Sequence, residues 1–224
     1  MNVFYLPDAQ LGTISFPEEE SKHIVKVLRM KEGDSFCVTN GKGSLFDAEL
    51  VDAHPKRATA DLSNQRSGYD IREFKLTIAL APTKLNERTE WFLEKATEIG
   101  IDEVKLFASY HSERRVANVE RFKKIVISAM KQSVKSKMPV VEEMVPFDKL
   151  VKQDFDGQKF IAWIDDDVKE QLCDLYKKGE NAIVLIGPEG DFSKDEVELA
   201  REKGFVPVSL GEARLRTETA AIVA

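Results

Sequence analysis

The sequence has 224 residues, 32% of them charged and 42% hydrophobic, a balance typical of a soluble globular protein with one large or two modest domains. No apolar run approaches the roughly 20 residues of a membrane-spanning helix, and the first residues lack the basic start and long apolar core of a signal peptide. Cys37 and Cys173 are far apart, without Cys-x-x-Cys spacing, so we expect two reduced thiols in a cytoplasmic protein.

The net charge of −6 is unevenly distributed along the chain. Residues 1–72 carry 9 basic and 11 acidic groups, residues 73–137 carry 13 and 9, and residues 138–224 carry 11 and 19. Within the middle block, residues 114–137 hold eight basic side chains against one acid, Glu120. Such a basic stripe on an acidic protein predicts either a footprint for a phosphate backbone or a solvated helix face.

The first third of the chain has the pattern of a small β-rich unit. Short apolar runs and turn residues predict strands at 2–6 and 11–16, one helix over 18–28, and a hairpin of strands 35–39 and 44–50 around Asn40-Gly41. The polar stretch Ser63 to Tyr69 predicts a linker. We therefore expect residues 1–70 to form a compact β-barrel domain.

From Phe74 onward, strands alternate with helices. The predicted elements are a strand at 75–81, a helix at 86–99, a strand at 104–108, a helix at 119–135, an extended segment at 139–145 and a strand at 159–164. Strands separated by helices of about ten or more residues indicate parallel βαβ units. The second domain, residues 73–224, is therefore predicted to be α/β.

The stretch after residue 181 is the most informative. Residues 182–186 predict a buried parallel strand, and the Gly187-Pro188-Glu189-Gly190 loop closes it, with two glycines that tolerate positive φ. Ser193 and Glu196 match a capping box at the start of a helix. A further strand and the opening of a further helix are predicted at 205–210 and 217–224. Because ligands bind at the carboxyl ends of strands in open α/β sheets, we expect the functional site here.

Several common chemistries have no signature in the sequence. A P-loop, a Gly-x-Ser-x-Gly nucleophile motif and a Gly-x-Gly-x-x-Gly cofactor loop are all absent. His23, His54 and His111 lack metal-binding spacing and are predicted to be structural or surface residues. The acidic run Asp165–Asp167 is more typical of a solvated loop than of a cation site. We expect no metal.

Two C-terminal motifs are Ile186-Gly-Pro-Glu-Gly-Asp-Phe-Ser193 with Glu196, and Leu210-Gly211 followed by Leu215-Arg-Thr-Glu-Thr-Ala220. At this spacing the two motifs resemble those of the RsmE family. The family consists of SPOUT-class, trefoil-knotted methyltransferases that modify N3 of one uridine in 16S ribosomal RNA. His23–Met30 with Gly33-Asp34 is similar to its PUA-like N-terminal domain, so the resemblance covers nearly the whole chain. It implies a SPOUT-type trefoil-knotted parallel sheet with a small N-terminal PUA-like β-barrel domain.

The resemblance implies S-adenosylmethionine as the cofactor, held in the knot by three loops. Glycines would let the backbone approach the adenine and ribose, and apolar side chains would line an adenine slot. The cofactor-binding residues implied in this sequence are Ile164, Ile186, Gly187, Pro188, Glu189, Gly190, Leu210, Gly211, Leu215, Arg216 and Thr217.

The implied reaction is direct methyl transfer from the sulfonium to N3 of uridine. Because N3 is protonated at neutral pH, it needs a base or stabilisation of the charge that develops on O2 and O4. Arg216 is the candidate for that stabilisation, and Glu189 or Glu218 for accepting the proton, with the choice between them left open. N3 lies on the pairing edge, so the uridine must be unpaired or flipped into the site.

The expected partners are 16S ribosomal RNA in the 30S subunit and a second copy of the chain in a homodimer, without membrane or metal. The candidate RNA-binding residues are Arg29, Lys31, Lys84, Arg114, Arg115, Lys131 and Lys135. In SPOUT dimers both knots pack at the interface, and Arg114 is therefore also a candidate for serving the partner's site.

The sequence departs from the family pattern in three places. Asp191 puts a side chain where the family has glycine, and Gly211-Glu-Ala-Arg214 differs from the more common basic arrangement. The sequence also stops at Ala224, early in a helix that the family continues, which suggests truncation at the dimer interface. Two alternatives stay open: a catalytically degenerate RNA-binding ribosome-assembly protein with the same fold, and another α/β enzyme that uses a nucleotide, disfavoured by the missing phosphate loops.

Overall fold

A computed structural model of the protein describes residues 2–68, 71–165 and 167–224. Tyr69 of the predicted linker and Asp166 of the acidic run lie outside the described residues. The chain divides into two compact units, Met1–Ile71 with Ile127–Met138, and Arg72–Val126 with Pro139–Ala224. The division therefore differs from the predicted domain ranges mainly in the segment Ile127–Met138, which groups with the first unit.

The first unit is built on a five-stranded sheet. Its elements are strands β1 (Val3–Tyr5), β2 (Gly12–Ser15), β3 (Ser35–Thr39), β4 (Ser44–Asp52) and β5 (Thr59–Ser67), and helix α1 (Glu18–Lys22), which continues into a π-helical turn (His23–Val27). The strand order is β1-β3-β4-β5-β2, with β1 and β3 parallel and the other pairs antiparallel. Phenylalanines 4, 16, 36 and 46 are buried in its core.

Two sequence predictions for this unit are wrong. Most of the predicted linker belongs to β5, whose polar residues face solvent at an exposed strand, so polarity alone suggested a loop. The predicted single helix over 18–28 changes at His23 to π-helical bonding, with the Leu28 backbone N–H donating to the His23 carbonyl at 3.0 Å. Arg29 then takes a positive φ of 55° and ends the segment. The helix was predicted from three apolar positions, Ile24, Val27 and Leu28, which are too few to distinguish an α-helical repeat from a π-helical one.

The second unit contains the alternating strands and helices. Its elements are β6 (Leu76–Leu80), α2 (Asn86–Ile99), β7 (Glu103–Ala108), α3 (Val119–Gln132), β8 (Val140–Val141), β9 (Val145–Pro146), α4 (Phe147–Val151), β10 (Gln158–Ala162), α5 (Leu172–Leu175), β11 (Ala182–Ile186), α6 (Lys194–Glu202), β12 (Val206–Val208) and α7 (Thr217–Val223). The division between the units falls inside α3. The short helices α4 and α5 were not predicted.

A parallel sheet organises this unit, as predicted. Its strand order is β12-β10-β11-β6-β7-β8, β9 pairs with β7, and every pair is parallel. One face packs Phe107, Ile161, Leu185 and Phe192 into a buried core. Because all strands run the same way, the loops that follow them emerge at one edge of the sheet.

Local signals fix the helix ends. The predicted capping box is present at the start of α6, where Ser193 Oγ accepts from the Glu196 backbone N–H at 3.3 Å. In return the Ser193 backbone N–H donates to Glu196 Oε2 at 2.9 Å. Gly100 ends α2 with a φ of 109° that other residues rarely adopt. Within the described part of the chain, no helix is long and apolar enough to cross a bilayer.

Candidate functional site

The candidate site lies at the carboxyl edge of the parallel sheet. Register pairs Ala162 of β10 with Ile186 of β11, and Ile186 with Leu80 of β6, so these three strands end side by side. The loops that follow them are therefore neighbours, and Val208 of β12 pairs with Ala162 on the other side of β10. Chain segments more than 100 residues apart meet at this edge.

Gly187 and Gly190 lie in a loop that is packed too closely for a side chain at either of these two positions. A Cβ atom at Gly187 would lie 3.0 Å from the ring of Phe192, and one at Gly190 would lie 3.0 Å from His111 Cβ. Neither glycine has a positive φ, so the predicted reason for them was wrong. The Phe192 ring anchors the loop in the core, with its centroid 5.5 Å from that of Phe147.

The residue with the glycine-like backbone is Asp191, whose φ is 60°. Its N–H donates to the Pro188 carbonyl at 2.9 Å and closes the turn. At this position a glycine was expected from the sequence resemblance. Aspartate is among the few residues that adopt left-handed φ with modest cost, because its short side chain can bond to nearby backbone. The departure seen in the sequence thus keeps the backbone conformation of the loop.

The Asp191 carboxylate joins neighbouring loops. Its Oδ1 accepts from the Phe192 N–H at 2.8 Å, and its Oδ2 accepts from the Ile164 N–H at 3.2 Å in the loop after β10. The Asp191 carbonyl also lies 3.0 Å from Nδ1 of His111, which follows β7. Burial raises the pKa of the Asp191 carboxyl, and the two N–H donors and His111 oppose that rise without cancelling it.

Glu196 makes a second connection between loops, which the sequence did not reveal. Besides capping α6, its Oε1 accepts from the Tyr110 N–H at 2.8 Å and its Oε2 from Ser109 Oγ at 3.0 Å. One carboxylate therefore holds both the start of α6 and the loop after β7. The capping-box motif identified Glu196 but could not show its distant partners.

Glu189 binds the loop after β6. Its Oε1 accepts from the Lys84 backbone N–H at 3.0 Å. Arg114 holds the same loop by donating from Nε to the Thr83 carbonyl at 3.2 Å and from a terminal nitrogen to the Lys84 carbonyl at 2.7 Å. Arg114 and Glu189 thus both bind backbone groups of this loop, and the Arg114 guanidinium is committed to internal carbonyls.

A charged cleft of about 310 Å³ opens beside this loop. Lys84, Glu113, Arg114, Arg115 and Val116 line it. Lys84 Nζ pairs with Glu113 at 2.8 Å, and Arg115 donates to the Tyr110 carbonyl at 3.2 Å. Both cations are largely solvent-exposed, so a phosphate can compete for them.

Much of the predicted basic stripe is neutralised by partners within its own unit. In the second unit, Arg121 lies 2.7 Å from a Glu90 oxygen, and Lys123 pairs with Glu120 at 2.8 Å. In the first unit, Lys131 pairs with Glu20 at 2.8 Å. The stripe is therefore not a row of free cations, because Glu120 within it and Glu20 and Glu90 from other parts of the sequence pair with its side chains.

The other candidate RNA-binding residues lie in the first unit. Arg29 and Lys31 are exposed after the π-helical turn, and the Lys31 backbone N–H donates to Asp34 at 2.8 Å. Lys135 is half-buried after α3. Their contact with RNA stays a prediction.

The start of α7 places the predicted catalytic residues in different environments. Arg216 precedes the helix and is exposed, and among the described residues its guanidinium has no hydrogen bond or ion pair. Thr217 and Glu218 are buried. Glu218 Oε1 lies 3.8 Å from Arg88 Nε, whereas Oε2 is buried without a hydrogen-bond partner among the described residues. Because buried polar atoms normally have a hydrogen-bond partner, this oxygen remains available as an acceptor.

The predicted apolar residues do not form one slot. Ile186 is only 2% exposed, so its side chain presents little surface here, and its place at the cofactor stays a prediction. Ile164 is 71% exposed because β10 ends at Ala162, two residues before the predicted end. Leu210 and Leu215 are half-buried, and Gly211 has a φ of 109° with open space beside it.

A larger apolar cavity of about 480 Å³ lies elsewhere on the same sheet. Leu210, a predicted cofactor residue, lines this cavity. Leu76 and Ala182 also line it, and they are the first residues of β6 and β11. The cavity therefore extends away from the carboxyl edge, and its volume does not mark the candidate site. Among the described residues, no cluster of three or more His, Cys, Asp or Glu side chains could hold a metal ion.

Comparison with known proteins agrees with the fold. Residues 71–224 match the family described as "RNA methyltransferase domain", and residues 16–63 match the one described as "RNA methyltransferase PUA domain". Ribosomal RNA small subunit methyltransferase E of Bacillus subtilis is 28% identical over 228 residues, which cover 95% of this chain and 88% of the relative.

Two solved structures are also similar. A probable rRNA-methyltransferase from Porphyromonas gingivalis is 45% identical with a TM-score of 0.91, over 100% of this chain and 94% of that one. A ribosomal RNA small subunit methyltransferase E from Neisseria gonorrhoeae, bound to S-adenosylmethionine, is 28% identical with a TM-score of 0.89, over 99% and 94%.

The raised pKa of Asp191 predicts a pH-dependent contribution to stability. The folded protein binds the proton of the Asp191 carboxyl more tightly than the unfolded chain does, so protonation stabilises the fold. This stabilisation is complete below the ordinary pKa of 3.8 and is lost as pH rises through the raised pKa. In urea titrations between about pH 4 and 7, we expect wild type to gain stability relative to Asp191→Asn as pH falls. Asp154→Asn, at an exposed site, is the control. A constant difference across this range would contradict the assignment.

Proposed function

The chain belongs to the RsmE family of RNA methyltransferases, and from this we propose that it methylates N3 of a single uridine in 16S ribosomal RNA, with S-adenosylmethionine as methyl donor. The observation that carries the proposal is the set of loops joined at the carboxyl edge of the sheet, where Glu189, Asp191 and Glu196 each hold backbone from a different strand end. Such an edge is where α/β sheets bind small ligands.

The residues at this edge fit a nucleoside cofactor. Gly187 and Gly190 offer backbone without side chains, and the exposed Ile164 offers apolar surface in the neighbouring loop. We propose that residues 164, 186–190, 210, 211 and 215–217 surround the cofactor, with Ile186 contributing backbone only. The cofactor supplies an electrophilic methyl group on a sulfonium.

Arg216 is suited to act on the uridine. Its exposed guanidinium has no partner among the described residues, so it is available to donate to O2 or O4. Charge-assisted hydrogen bonds there stabilise the negative charge that develops as N3 loses its proton. The base must leave its pairing partner to reach such a group, because N3 lies on the pairing edge.

The two candidate bases differ in environment. Glu189 is exposed and already accepts from the Lys84 backbone N–H, which suits a residue that positions a loop. Glu218 is buried and has one oxygen without a hydrogen-bond partner among the described residues. We assign proton acceptance to Glu218 and loop positioning to Glu189, because only Glu218 has an oxygen whose burial is not otherwise compensated.

RNA docking is assigned to both predicted domains. Arg29 and Lys31 in residues 1–70 and the cleft cations Lys84 and Arg115 in residues 73–224 are exposed enough to contact phosphates. Arg114 and Lys131, also candidates from the sequence, have internal partners and are assigned structural roles. The alternative of a degenerate RNA-binding protein relied on Asp191 and on the short C-terminus, and the φ of Asp191 removes the first of these supports.

The reaction is tested with labelled S-adenosylmethionine and small ribosomal subunits that lack the modification. We expect label in 16S RNA at one site, and 3-methyluridine after digestion to nucleosides. Transfer to another base or position would refute the proposed specificity. Cofactor binding without transfer to free RNA or subunits would refute the proposed substrate, and absence of binding would favour the degenerate protein.

Variants at the start of α7 test the two roles. Arg216→Ala is expected to lower kcat about 10²- to 10³-fold, as loss of an oxyanion donor does, with little change in cofactor affinity. Glu218→Gln is expected to lower kcat by a similar factor, because the amide cannot accept the proton that leaves N3. Arg214→Ala and Glu212→Gln, exposed in the same loop, are matched controls. Equal effects in variants and controls would remove both assignments.

The proposal includes a cytoplasmic homodimer. Trp91 and Ile99 on α2 are 44% and 65% exposed, and Val223 on α7 is 55% exposed. Large apolar side chains exposed on two helices that pack together indicate a surface that a partner covers. Sedimentation equilibrium is expected to give twice the 25.3 kDa chain mass. Trp91→Lys should shift the equilibrium to monomer, whereas a monomeric wild type would exclude the dimer.

A further inference from the structure

Asp191 makes more contacts than its turn requires. Glycine would adopt a φ of 60° freely, whereas a residue with a side chain is held there only by its surroundings. The turn itself is closed by main-chain atoms, from the Asp191 N–H to the Pro188 carbonyl. The carboxylate adds bonds to Phe192 in its own loop and to Ile164, 27 residues away in sequence.

We propose that Asp191 is a positioning residue that fixes the loop after β10 against the Gly187–Gly190 loop, so that two walls of the cofactor site are formed before the cofactor binds. This inference rests on the proposed function, which places the cofactor between these loops. Its new content is the role of the Asp191 side chain, which joins the two loops.

The geometry supports a direct brace. Oδ2 receives the Ile164 N–H, and Ile164 carries the most exposed apolar side chain at this edge among the described candidates. Oδ1 lies 3.4 Å from where a Cβ of Gly187 would stand, so the carboxylate packs over the bare glycine. Any side chain at Gly187 would crowd both Asp191 and Phe192. Glycine at 187 and aspartate at 191 are therefore complementary.

The third loop holds the other side of Asp191. The His111 ring lies 3.0 Å from the Asp191 carbonyl and against Gly190, where an added Cβ would be 3.0 Å from His111 Cβ. The backbone of Asp191 is thus held from the β7 side while its carboxylate reaches the β10 side. Among the described residues, the Asp191 carboxylate makes no ion pair, so its two oxygens accept the backbone N–H groups of Phe192 and Ile164. Loops fixed in this way bind with less loss of conformational freedom.

Amide hydrogen exchange in the cofactor-free protein tests the brace itself. In Asp191→Gly, which retains the backbone conformation, we expect the Ile164 amide to exchange at least about tenfold faster, the equivalent of roughly 1.4 kcal/mol of lost protection. Asp191→Asn keeps one acceptor oxygen and should fall between this variant and wild type. The exposed Asp154→Asn should match wild type. Unchanged Ile164 exchange in Asp191→Gly would overturn the proposal.

Calorimetry and steady-state kinetics test whether the brace serves the cofactor. We expect Asp191→Gly to raise the Kd and KM for S-adenosylmethionine about tenfold, with kcat at saturating cofactor nearly unchanged and with partial rescue in Asp191→Asn. Faster Ile164 exchange with an unchanged Kd would overturn the positioning role alone. Failure of wild type to bind S-adenosylmethionine would overturn the proposed function and the cofactor role of Asp191. The exchange data need no cofactor and would still show whether Asp191 holds the loop, so the two failures are distinguishable.

Discussion

Parallel pairing of β11 with β10 and β6 is the constraint on which the second unit depends. In-register parallel strands must end at the same level, so the loops after Ala162, Ile186 and Leu80 emerge together although the sequence separates them widely. The buried, β-branched composition of β11 makes this pairing favourable, because both faces of the strand are covered. A site made from several loops then needs only short-range bonds to become rigid.

Those bonds come from carboxylates that accept backbone N–H groups. Glu189, Asp191 and Glu196 each receive at least one amide from a neighbouring loop. Bonds from amides to carboxylates are stronger than those between neutral groups, and each side chain reaches farther than a main-chain turn can. The proposed reaction does not require these three acids to gain or lose a proton. They hold the loops in place, while the proposed chemistry belongs to Arg216 and Glu218.

Much of this fold was predictable because its signals are local. The β11 strand, the α2 helix ending at Gly100 and the capping box at Ser193 lie where their residue patterns indicated. The β5 strand was mistaken for a linker because its outward residues are polar, and the π-helical turn was missed because a short apolar pattern does not distinguish helical periods. The predicted trefoil knot concerns the path of the whole chain, which no local pattern specifies.

The candidate site was predictable in its residues but not in their roles. Motif spacing identified Glu189 and Glu196, and the basic stripe identified Arg114, yet only the structure shows that each binds backbone from a distant loop. Ile186 belonged to the motif, and its burial follows from strand pairing that reaches the last residue of β11. Asp191 seemed to disturb the loop until its φ showed that aspartate replaces the conformational role of glycine.

The contact between Gly190 and His111 has an evolutionary consequence. A methyl group at position 190 would meet the His111 side chain at 3.0 Å, and the backbone on both sides is held by other bonds. The atom met is the Cβ of His111, which every residue except glycine carries, so a side chain at 190 is disfavoured whichever other residue stands at 111. Descendants of this sequence can change the loop after β7 gradually only by paths that keep glycine at 190, so the glycine preserves the freedom of its neighbour to vary.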